Sequence, residues 1–345
     1  MIDKEAYRKA LDADVALSSR VRLARDFEDM PFPDRQNDIW AQEAVRRVFA
    51  AISERPDGRQ YRLMKMAELS EDQRTALVER HIVSPDLLEH AEHAAVMTRE
   101  DERVSVMINE EDHVRIQAIL PGLDIAAASS LADEVDDSIG ALSSFAYDDA
   151  WGYLTACPTN TGTGMRISAM LHLPAMVMTG QMAGVVKVVG KMGMTVRGLY
   201  GEGSGAMGNL FQLSNQVTLG QSERDIAANL EAVARQLIDR ERLTREAVGQ
   251  QNRIELEDRL MRSLGALRHA RKMENREFMG LWSDVWLANE LGWLDIEREA
   301  LRQLFIRVQP ATIEVTARRS MTPQERDIER ARIVRDTLDD EIAVG

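Results

Sequence analysis

The sequence changes character at Gly220, and this change limits the folds that the chain can adopt. Before this glycine, segments with apolar residues at every second position are separated by segments with helical periodicity. A period of two predicts strands, whereas a period near 3.6 predicts helices. After Gly220, nearly every segment is typical of a charged helix. We therefore predict a mixed helix-and-strand part at about residues 1–245 and a helical part at about 246–345.

Local signals place the individual elements. The predicted strands cover residues 103–108, 165–173, 194–200 and 209–219. One predicted helix covers residues 38–52, and the next begins at a capping box of Ser70 and Gln73. Ser222 with Asp225 and Thr322 with Glu325 form the same kind of helix start. A helix at 125–142 is predicted to point inward through Ile125, Leu131, Val135, Ile139 and Leu142.

Composition excludes several classes of function. The 345 residues carry a formal net charge of −14, which argues against nucleic-acid binding because that function needs a basic surface. The single cysteine excludes a disulfide framework and a CxxC metal site. No apolar run approaches the roughly 20 residues that span a bilayer, and the first residues lack the apolar core of a signal peptide. We expect a cytoplasmic protein without membrane contact.

Arginines recur in or beside the predicted strands. Arg20 and Arg22 are two positions apart and would share one face of a strand, and the others are Arg115, Arg166 and Arg197. Each one alone is typical of a solvated surface. Together they predict a clamp for a polyphosphate, because guanidinium groups pair with phosphate oxygens. The chain has no GxxxxGK[ST] motif, so this would be nucleotide binding without a P-loop.

A glycine-rich segment at 203–208 matches GxGxxG, which is a weak signal by itself. A dinucleotide site needs a helix after this motif, whereas strand-like alternation follows here. We therefore reject a Rossmann site and predict a flexible loop that closes over a ligand.

Acidic residues next to these arginines allow two interpretations. Glu110, Glu111 and Asp112 form an acidic run of the kind found in exposed turns, and Glu202 follows Arg197 as a simple balance of charge. Alternatively, Glu111 and Glu202 hold a guanidinium substrate against the anionic cofactor, because two carboxylates can pair with its planar edges.

Three further features have a structural and a functional interpretation each. Cys157 opens the polar loop CPTNTGTGMR, although most lone cysteines are small buried apolar residues, and no paired histidine supports covalent catalysis. His81 is either an ordinary half-buried histidine or a ligand contact. Residues 326–331 (RDIERA) fit a salt-bridged helix surface, or a pocket for a group that is both phosphorylated and cationic.

These motifs resemble the ATP:guanidino phosphotransferase family, which includes the creatine and arginine kinases. The similar stretches are SSRVRLAR, NEEDHVR, CPTNTGTGMR and RGLYGEG, in that order, and the resemblance extends from about residue 15 to 335. RDIERA resembles the RDxxRA motif of the bacterial members of the McsB type, which phosphorylate arginine side chains of proteins. The implied fold is α+β, with an antiparallel sheet flanked by helices and a small helical domain for dimerisation and regulation.

The resemblance also implies roles for individual residues, with ATP and Mg²⁺ as cofactors and no metal site built from protein side chains. Glu111 and Glu202 would orient the target guanidinium, with Cys157 beside it, and His81 would lie near the adenine. The implied nucleotide-binding residues are Ser18, Ser19, Arg20, Val21, Arg22, His81, Arg115, Arg166, Ile167, Ser168, Ala169, Met170, Arg197, Gly198, Leu199, Tyr200, Gly201 and Glu202. The implied phosphoarginine pocket comprises Arg326, Asp327, Ile328, Glu329, Arg330 and Ala331.

The same resemblance implies partners: protein substrates with exposed arginines, a zinc-binding activator, an AAA+ protease and a second copy of the chain. Phosphorylation would then mark proteins for degradation during stress. The SSR motif begins at Ser18, so the N-terminal domain of phosphagen kinases is not expected, which favours protein-bound arginine as substrate. Gly205 departs from the glutamate common in relatives and would loosen its loop. The alternatives are a kinase of free arginine and a phosphoarginine-binding adaptor, and the presence of Glu111 and Glu202 argues against the adaptor.

Overall fold

The computed structural model describes residues 10–199 and 206–342, the last three of them by backbone alone. The strands in these ranges are β1 (Ala16–Arg25), β2 (Tyr61–Lys65), β3 (Ala95–Arg99), β4 (Val104–Ile108), β5 (Val114–Pro121), β6 (Tyr147–Asp148), β7 (Gly152–Tyr153), β8 (Met165–His172), β9 (Met194–Gly198) and β10 (Leu210–Asn215). Short 3₁₀ helices cover Pro33–Arg35, Gly58–Gln60, Met66–Glu68 and Met207–Asn209.

The α-helices flank and follow these strands. They are α1 (Asp38–Ser53), α2 (Glu71–Glu79), α3 (Asp86–Glu89), α4 (Ile125–Gly140), α5 (Pro174–Met178), α6 (Met182–Lys191), α7 (Glu223–Gln251), α8 (Arg253–His269), α9 (Asn275–Glu290), α10 (Arg298–Arg307), α11 (Pro310–Ala317) and α12 (Pro323–Ile342). Within the described ranges, none of them combines the length and apolar character needed to cross a bilayer.

Eight of the strands form one antiparallel sheet, in the order β2-β3-β4-β5-β1-β8-β10-β9. Helix α4 packs against β5 and β1, and α7 packs against β8 and β10. The side chains beneath these helices form a buried core that includes Val21, Leu23 and Ile167. The helices therefore cover one face of the central strands, which leaves the opposite face for polar residues. The fold is α+β, as predicted.

A second core joins the sheet to the helical part. It packs Trp282 of α9 and Phe305 of α10 with Leu17 of β1 and Leu210 of β10. Glu79, at the end of α2, adds a polar link, because its carboxylate accepts hydrogen bonds from the backbone N–H groups of Ala311 and Thr312 in α11 at 2.9 and 2.7 Å. A side chain of one part thus caps a helix of the other.

Several element predictions are confirmed. Ser70 and Gln73 form a reciprocal capping box, and Thr322 and Glu325 exchange the same pair of bonds. Ser222 caps α7, because its hydroxyl accepts from the backbone N–H of Asp225. The capping box is incomplete, because the Asp225 carboxylate accepts from the Ser222 hydroxyl and not from the Ser222 backbone N–H.

Several predicted ranges are too long, and the strand predicted at 194–200 ends at Gly198. The helix predicted at 125–142 ends at Gly140, so Leu142 lies beyond it and is 52% exposed instead of inward-facing. Strand β10, which the sequence predicts to continue to residue 219, ends at Asn215. Helix α7 passes through residue 245, where the sequence predicts the division into two parts, and it continues to Gln251.

Candidate active site

The pairing of the strands brings the five predicted arginines onto the uncovered face of the sheet. Arg22 of β1 lies directly opposite Arg166 of β8, and Ala24 lies opposite Arg115 of β5. Residues directly opposite each other in a sheet point to the same face. Arg197 of β9 lies opposite Gln212 of β10. Gln212 accepts a hydrogen bond from Arg20, so Arg197 is on the same face of the sheet as the other arginines. The predicted cluster of arginines is therefore a property of the strand register.

Most of these arginines lack a carboxylate partner among the described residues. Arg22 makes no hydrogen bond or ion pair with any of them. Arg20 donates to the neutral oxygens of Ser168 and Gln212 at 3.2 and 3.1 Å. Arg166 donates to Asn160 and Thr159. Like charges opposite each other on a sheet repel, so this face is suited to an anion with several oxygens.

The pKa values reflect this excess of positive charge. Burial, together with the charge of Arg115, lowers the pKa of Arg20 to about 10. Burial also lowers the pKa of Arg22 well below its ordinary value, and Arg20, Arg115 and Arg166 lower it further, whereas Glu110 opposes this only in part. A bound anion would relieve this repulsion.

Arg115 is the exception, because it is held by two carboxylates. It donates to Glu110 at 2.8 Å and to Glu111 at 2.7 Å. Burial alone would lower the pKa of Arg115, but the two glutamates outweigh it and leave the pKa raised. The Glu110 side chain is fully buried and also accepts from Ser84, whereas the Glu111 side chain is 41% exposed. Glu111 is therefore the member of the pair that a substrate can reach.

A cavity of about 380 Å³ lies above the arginine face. Its walls include Arg20, Arg22, Gln117, Met170 and Leu199. A second cavity, of about 360 Å³, brings together Glu110, Glu111 and Cys157, as predicted for the last two. Glu110 and Glu111 of this second cavity bond Arg115, so the acidic cavity lies next to the arginine face.

His81 lies at the edge of the arginine cleft in a restrained conformation. Its φ is +59°, which is unusual for a residue with a side chain, and its carbonyl accepts from Gln117 at 2.8 Å. Burial, with a smaller effect of Arg20, lowers the pKa of His81 to about 4, so the imidazole is neutral at pH 7. Its ring stacks on Phe305 of α10 with 6.5 Å between centroids.

The polar loop at 157–164 is shaped by its glycines and anchored by Asp112. Gly162 and Gly164 have φ of +111° and +64°, and a Cβ on either would clash with a backbone carbonyl. Asp112 accepts from the Cys157 backbone N–H at 3.2 Å and from the Asn160 amide at 2.8 Å. The loop thereby presents the partly exposed Cys157, whose Sγ lies 3.2 Å from the Thr159 hydroxyl.

Asp112 is itself packed against a second buried carboxylate, Asp26. Asp26 accepts from the backbone N–H groups of His113 at 2.7 Å and Ala156 at 2.9 Å. Burial, followed by the charge and hydrogen bonding of Asp26, raises the pKa of Asp112 to about 7. Two adjacent buried carboxylates cannot both be charged without cost, so this contact favours the protonated form of Asp112.

This pair predicts a pH-dependent stability. The pKa of Asp112 in the fold is above its ordinary value of 3.8, so its contribution to the free energy of unfolding is complete below pH 4 and is lost as pH rises through about 7. Asp26→Asn removes the repelling charge and should reduce the loss of stability between pH 5 and 8 by about 1–2 kcal/mol. Urea unfolding at both pH values measures this difference. Asp149→Asn, at an exposed aspartate, is the control, and an equal pH dependence in both variants would contradict the prediction.

Some residues of the predicted nucleotide motifs point away from the cleft. Strand alternation turns Val21, Ile167 and Ala169 into the core beneath the helices. Ser19 is also buried there and donates to the carbonyl of Gly122. Their side chains cannot contact a ligand on the arginine face, so these four assignments are corrected. Tyr200, Gly201, Glu202 and Gly205 lie outside the described residues.

The predicted phosphoarginine pocket on α12 contains a mixture of accessible and structural groups. Arg330 is 1% exposed and donates to the carbonyls of Met273 and Val308 and to Asp327, so it ties α12 to its neighbours. Ala331 is fully buried. Arg326, Asp327, Ile328 and Glu329 are at least partly accessible, and Arg326 pairs with Glu314 at 2.9 Å.

Several residues that shape the site are not predicted by the sequence patterns. Glu110 belongs to an acidic run of the kind found in exposed turns, yet it is buried against Arg115. Gln212 and Asn160 hold Arg20 and Arg166. The alternation of β10 could have placed Gln212 on the polar face, whereas no local pattern indicates the burial of Glu110.

Comparisons with known proteins agree with this geometry. Residues 42–244 match the family model of the ATP:guanido phosphotransferase C-terminal catalytic domain, and residues 253–343 match that of the protein-arginine kinase McsB C-terminal domain. The protein-arginine kinase of Caldanaerobacter subterraneus is 44% identical over 325 residues, which cover 94% of this chain and 96% of that protein. That of Moorella thermoacetica is 46% identical, with 94% of each chain covered.

Two solved structures share the fold. Lombricine kinase aligns with a TM-score of 0.59 at 21% identity, over 70% of this chain and 71% of that one. The duplicated taurocyamine kinase of Schistosoma mansoni also aligns with a TM-score of 0.59, at 23% identity, over 70% of this chain and 34% of that one.

Proposed function

The chain belongs to the ATP:guanido phosphotransferase family, and from this premise we propose that it transfers the γ-phosphoryl group of ATP to arginine side chains of proteins. The observation that carries the proposal is the opposition of Arg22 and Arg166, neither of which forms an ion pair among the described residues, beside a cleft lined by Arg20 and Arg22. Arg115, on the same face, bonds Glu111. Such a cleft supplies positive charge where the phosphates of ATP would lie.

The residues of the site suit the chemistry of this transfer. A free arginine side chain keeps its proton at any physiological pH and is a poor nucleophile. A carboxylate must therefore orient one nitrogen and accept its proton as the N–P bond forms and the bond to the leaving ADP oxygen breaks. Glu111 takes this role, with Glu202 as the second predicted carboxylate and Cys157 beside the guanidinium.

The arginine face performs the electrostatic part of the reaction. Arg20, Arg22, Arg115, Arg166 and Arg197 would bind the phosphate oxygens and stabilise the charge that spreads over the transferring group. Mg²⁺ would be held mainly by the nucleotide, as is common for this ion, and would neutralise the phosphate charge. Across the parts of the chain that the structure describes, no group of three or more acidic, histidine or cysteine side chains is arranged as a metal site.

The protein-directed specificity is supported by the named relatives. Purified protein should be incubated with Mg-ATP and either an unfolded arginine-containing protein or free arginine, and the products analysed by mass spectrometry under neutral conditions, because the N–P bond is acid-labile. We expect phosphoarginine on the protein. Label on free arginine alone would contradict the proposed substrate, and no label on either would contradict the proposed activity.

The wider context of the enzyme is also proposed by family likeness. A zinc-binding activator, an AAA+ protease and a second copy of the chain would be its partners, in the cytoplasm. Phosphorylated proteins would be directed to degradation under stress. The division into a catalytic part at 1–245 and a dimerising and regulatory part at 246–345 belongs to the same proposal.

Regulation by phosphoarginine through α12 gives a further prediction. Arg326→Gln keeps a donor for the Glu314 carboxylate but removes the charge that a phosphate requires. We expect free phosphoarginine to activate the unaltered enzyme, and this activation to fall at least about fivefold in the variant, with basal turnover within twofold. Turnover is measured with and without phosphoarginine. Arg319→Gln, at an exposed arginine near the same helix, is the control, and equal loss of basal and activated turnover would indicate a structural role instead.

A further inference from the structure

A groove continues from the arginine cleft toward the helical part of the molecule. Ser18, His81, Ile119 and Met170 line both the cleft and this groove, so the two cavities share a boundary. A ligand whose phosphates occupy the arginine face can therefore extend into the groove without leaving the protein surface.

Apolar side chains from both parts of the chain line the groove, together with the charged residues Arg80, Asp101, Glu102, Arg103 and Arg302. Leu17, Ile119 and Met170 come from the sheet, whereas Phe305 and Ile306 come from α10. Phe305 is 6% exposed and stacks on His81 at an interplanar angle of 24°. Flat rings and aliphatic side chains are the surfaces on which nucleic-acid bases stack, and a neutral His81 offers one N–H donor and one acceptor to a base edge.

The cavity that contains Glu111 has a different lining. Glu110, Glu111 and Asp34 contribute to its lining, and it suits a cation such as the guanidinium of the substrate. An uncharged base gains little beside these carboxylates. In the groove, the carboxylates of Asp101 and Glu102 are paired with Arg99 and Arg80, and a base can bury apolar surface there. The two cavities thus divide the reactants between them.

We infer that α10 forms one wall of the nucleobase site, with Phe305 and Ile306 in contact with the base of ATP. This inference rests on the proposed function, since it assumes that the phosphates of ATP lie on the arginine face. The helical part then contributes directly to nucleotide binding, and the isolated mixed part would lack one side of the site.

Inorganic tripolyphosphate separates the two claims, because it carries the phosphates of ATP without the base. Isothermal titration of the full chain in the presence of Mg²⁺ should give dissociation constants for ATP and for tripolyphosphate. Ile306→Ser should weaken ATP about tenfold, because it removes apolar contact with the base, and leave tripolyphosphate within twofold. Ile254→Ser, at an isoleucine that is 80% exposed on α8, is the matched control and should change neither constant.

A second variant tests the same contact at a different residue, so that a local structural change at Ile306 alone cannot explain the result. Phe305→Leu keeps an apolar side chain in the second core but removes the ring, and it should also lower the ratio of ATP to tripolyphosphate affinity. An unchanged ratio in both variants would overturn the inference and leave the proposed function intact. Failure of the unaltered protein to bind either ligand would overturn both, and equal weakening of both ligands would show that α10 only supports the fold.

Discussion

Glu111→Gln is expected to lower kcat by about 10²- to 10⁴-fold. The amide keeps the shape of the side chain and an acceptor for Arg115, which now donates to the carboxylate at 2.7 Å, but it cannot accept the proton of the attacking nitrogen. The dissociation constant of ATP should change less than about threefold. Single-turnover phosphorylation of an unfolded protein and titration with ATP measure the two quantities.

Glu92→Gln is the matched control for this result, because Glu92 is exposed and the change removes the same charge. It should leave both quantities unchanged. A kcat of Glu111→Gln that stays close to that of the unaltered protein would mean that another group accepts the proton. A parallel loss of ATP binding would mean that Glu111 acts mainly by positioning Arg115 for the nucleotide.

Arg22→Met is expected to weaken ATP binding and stabilise the fold at the same time. Arg22 has no ionic partner within the described ranges and lies opposite Arg166, so its charge is a cost until an anion binds. Loss of one charge-assisted contact should raise the dissociation constant of ATP about 30- to 300-fold, or by about 2–3 kcal/mol. The free energy of unfolding without nucleotide should rise by about 1 kcal/mol, since an apolar side chain replaces a repelled charge.

Titration calorimetry and urea unfolding test the two effects on the same preparation. Arg46→Met provides the control, because Arg46 is a surface arginine whose side chain is 68% exposed and pairs with Glu43. That change should leave ATP binding unaltered and stability equal or slightly lower. If Arg22→Met lowered the free energy of unfolding more than Arg46→Met, the positive charge of Arg22 would be stabilised by other groups of the fold, and the prediction would be wrong.

Sequence patterns predicted the composition of the site better than its geometry. The period of two in β1 placed Arg20 and Arg22 on one face, and the structure confirms it. The opposition of Arg22 and Arg166 depends on a pairing between segments more than 140 positions apart, which local periodicity does not encode. Likewise, nothing near Asp112 in the sequence indicates its contact with Asp26.

The errors have a common physical origin. A family motif names consecutive residues, whereas a strand turns every second side chain to the opposite face. Val21, Ile167 and Ala169 were therefore carried into the predicted nucleotide site along with their neighbours, although they belong to the core. The contribution of Phe305 was missed for a different reason, because it comes from a helix that the motifs do not include.

The carboxylate of Glu79 makes the two parts of the chain a single cooperative unit. The first N–H groups of a helix have no partner within the helix, and for α11 this side chain provides acceptors for those of Ala311 and Thr312. If the helical part separated, these groups would turn to water, and the first turn of α11 would fray. The end of α2 lies two residues from His81, at the edge of the cleft. Undocking of the helices would therefore loosen the nucleotide cleft, so partial unfolding and loss of ATP affinity would be one event rather than two.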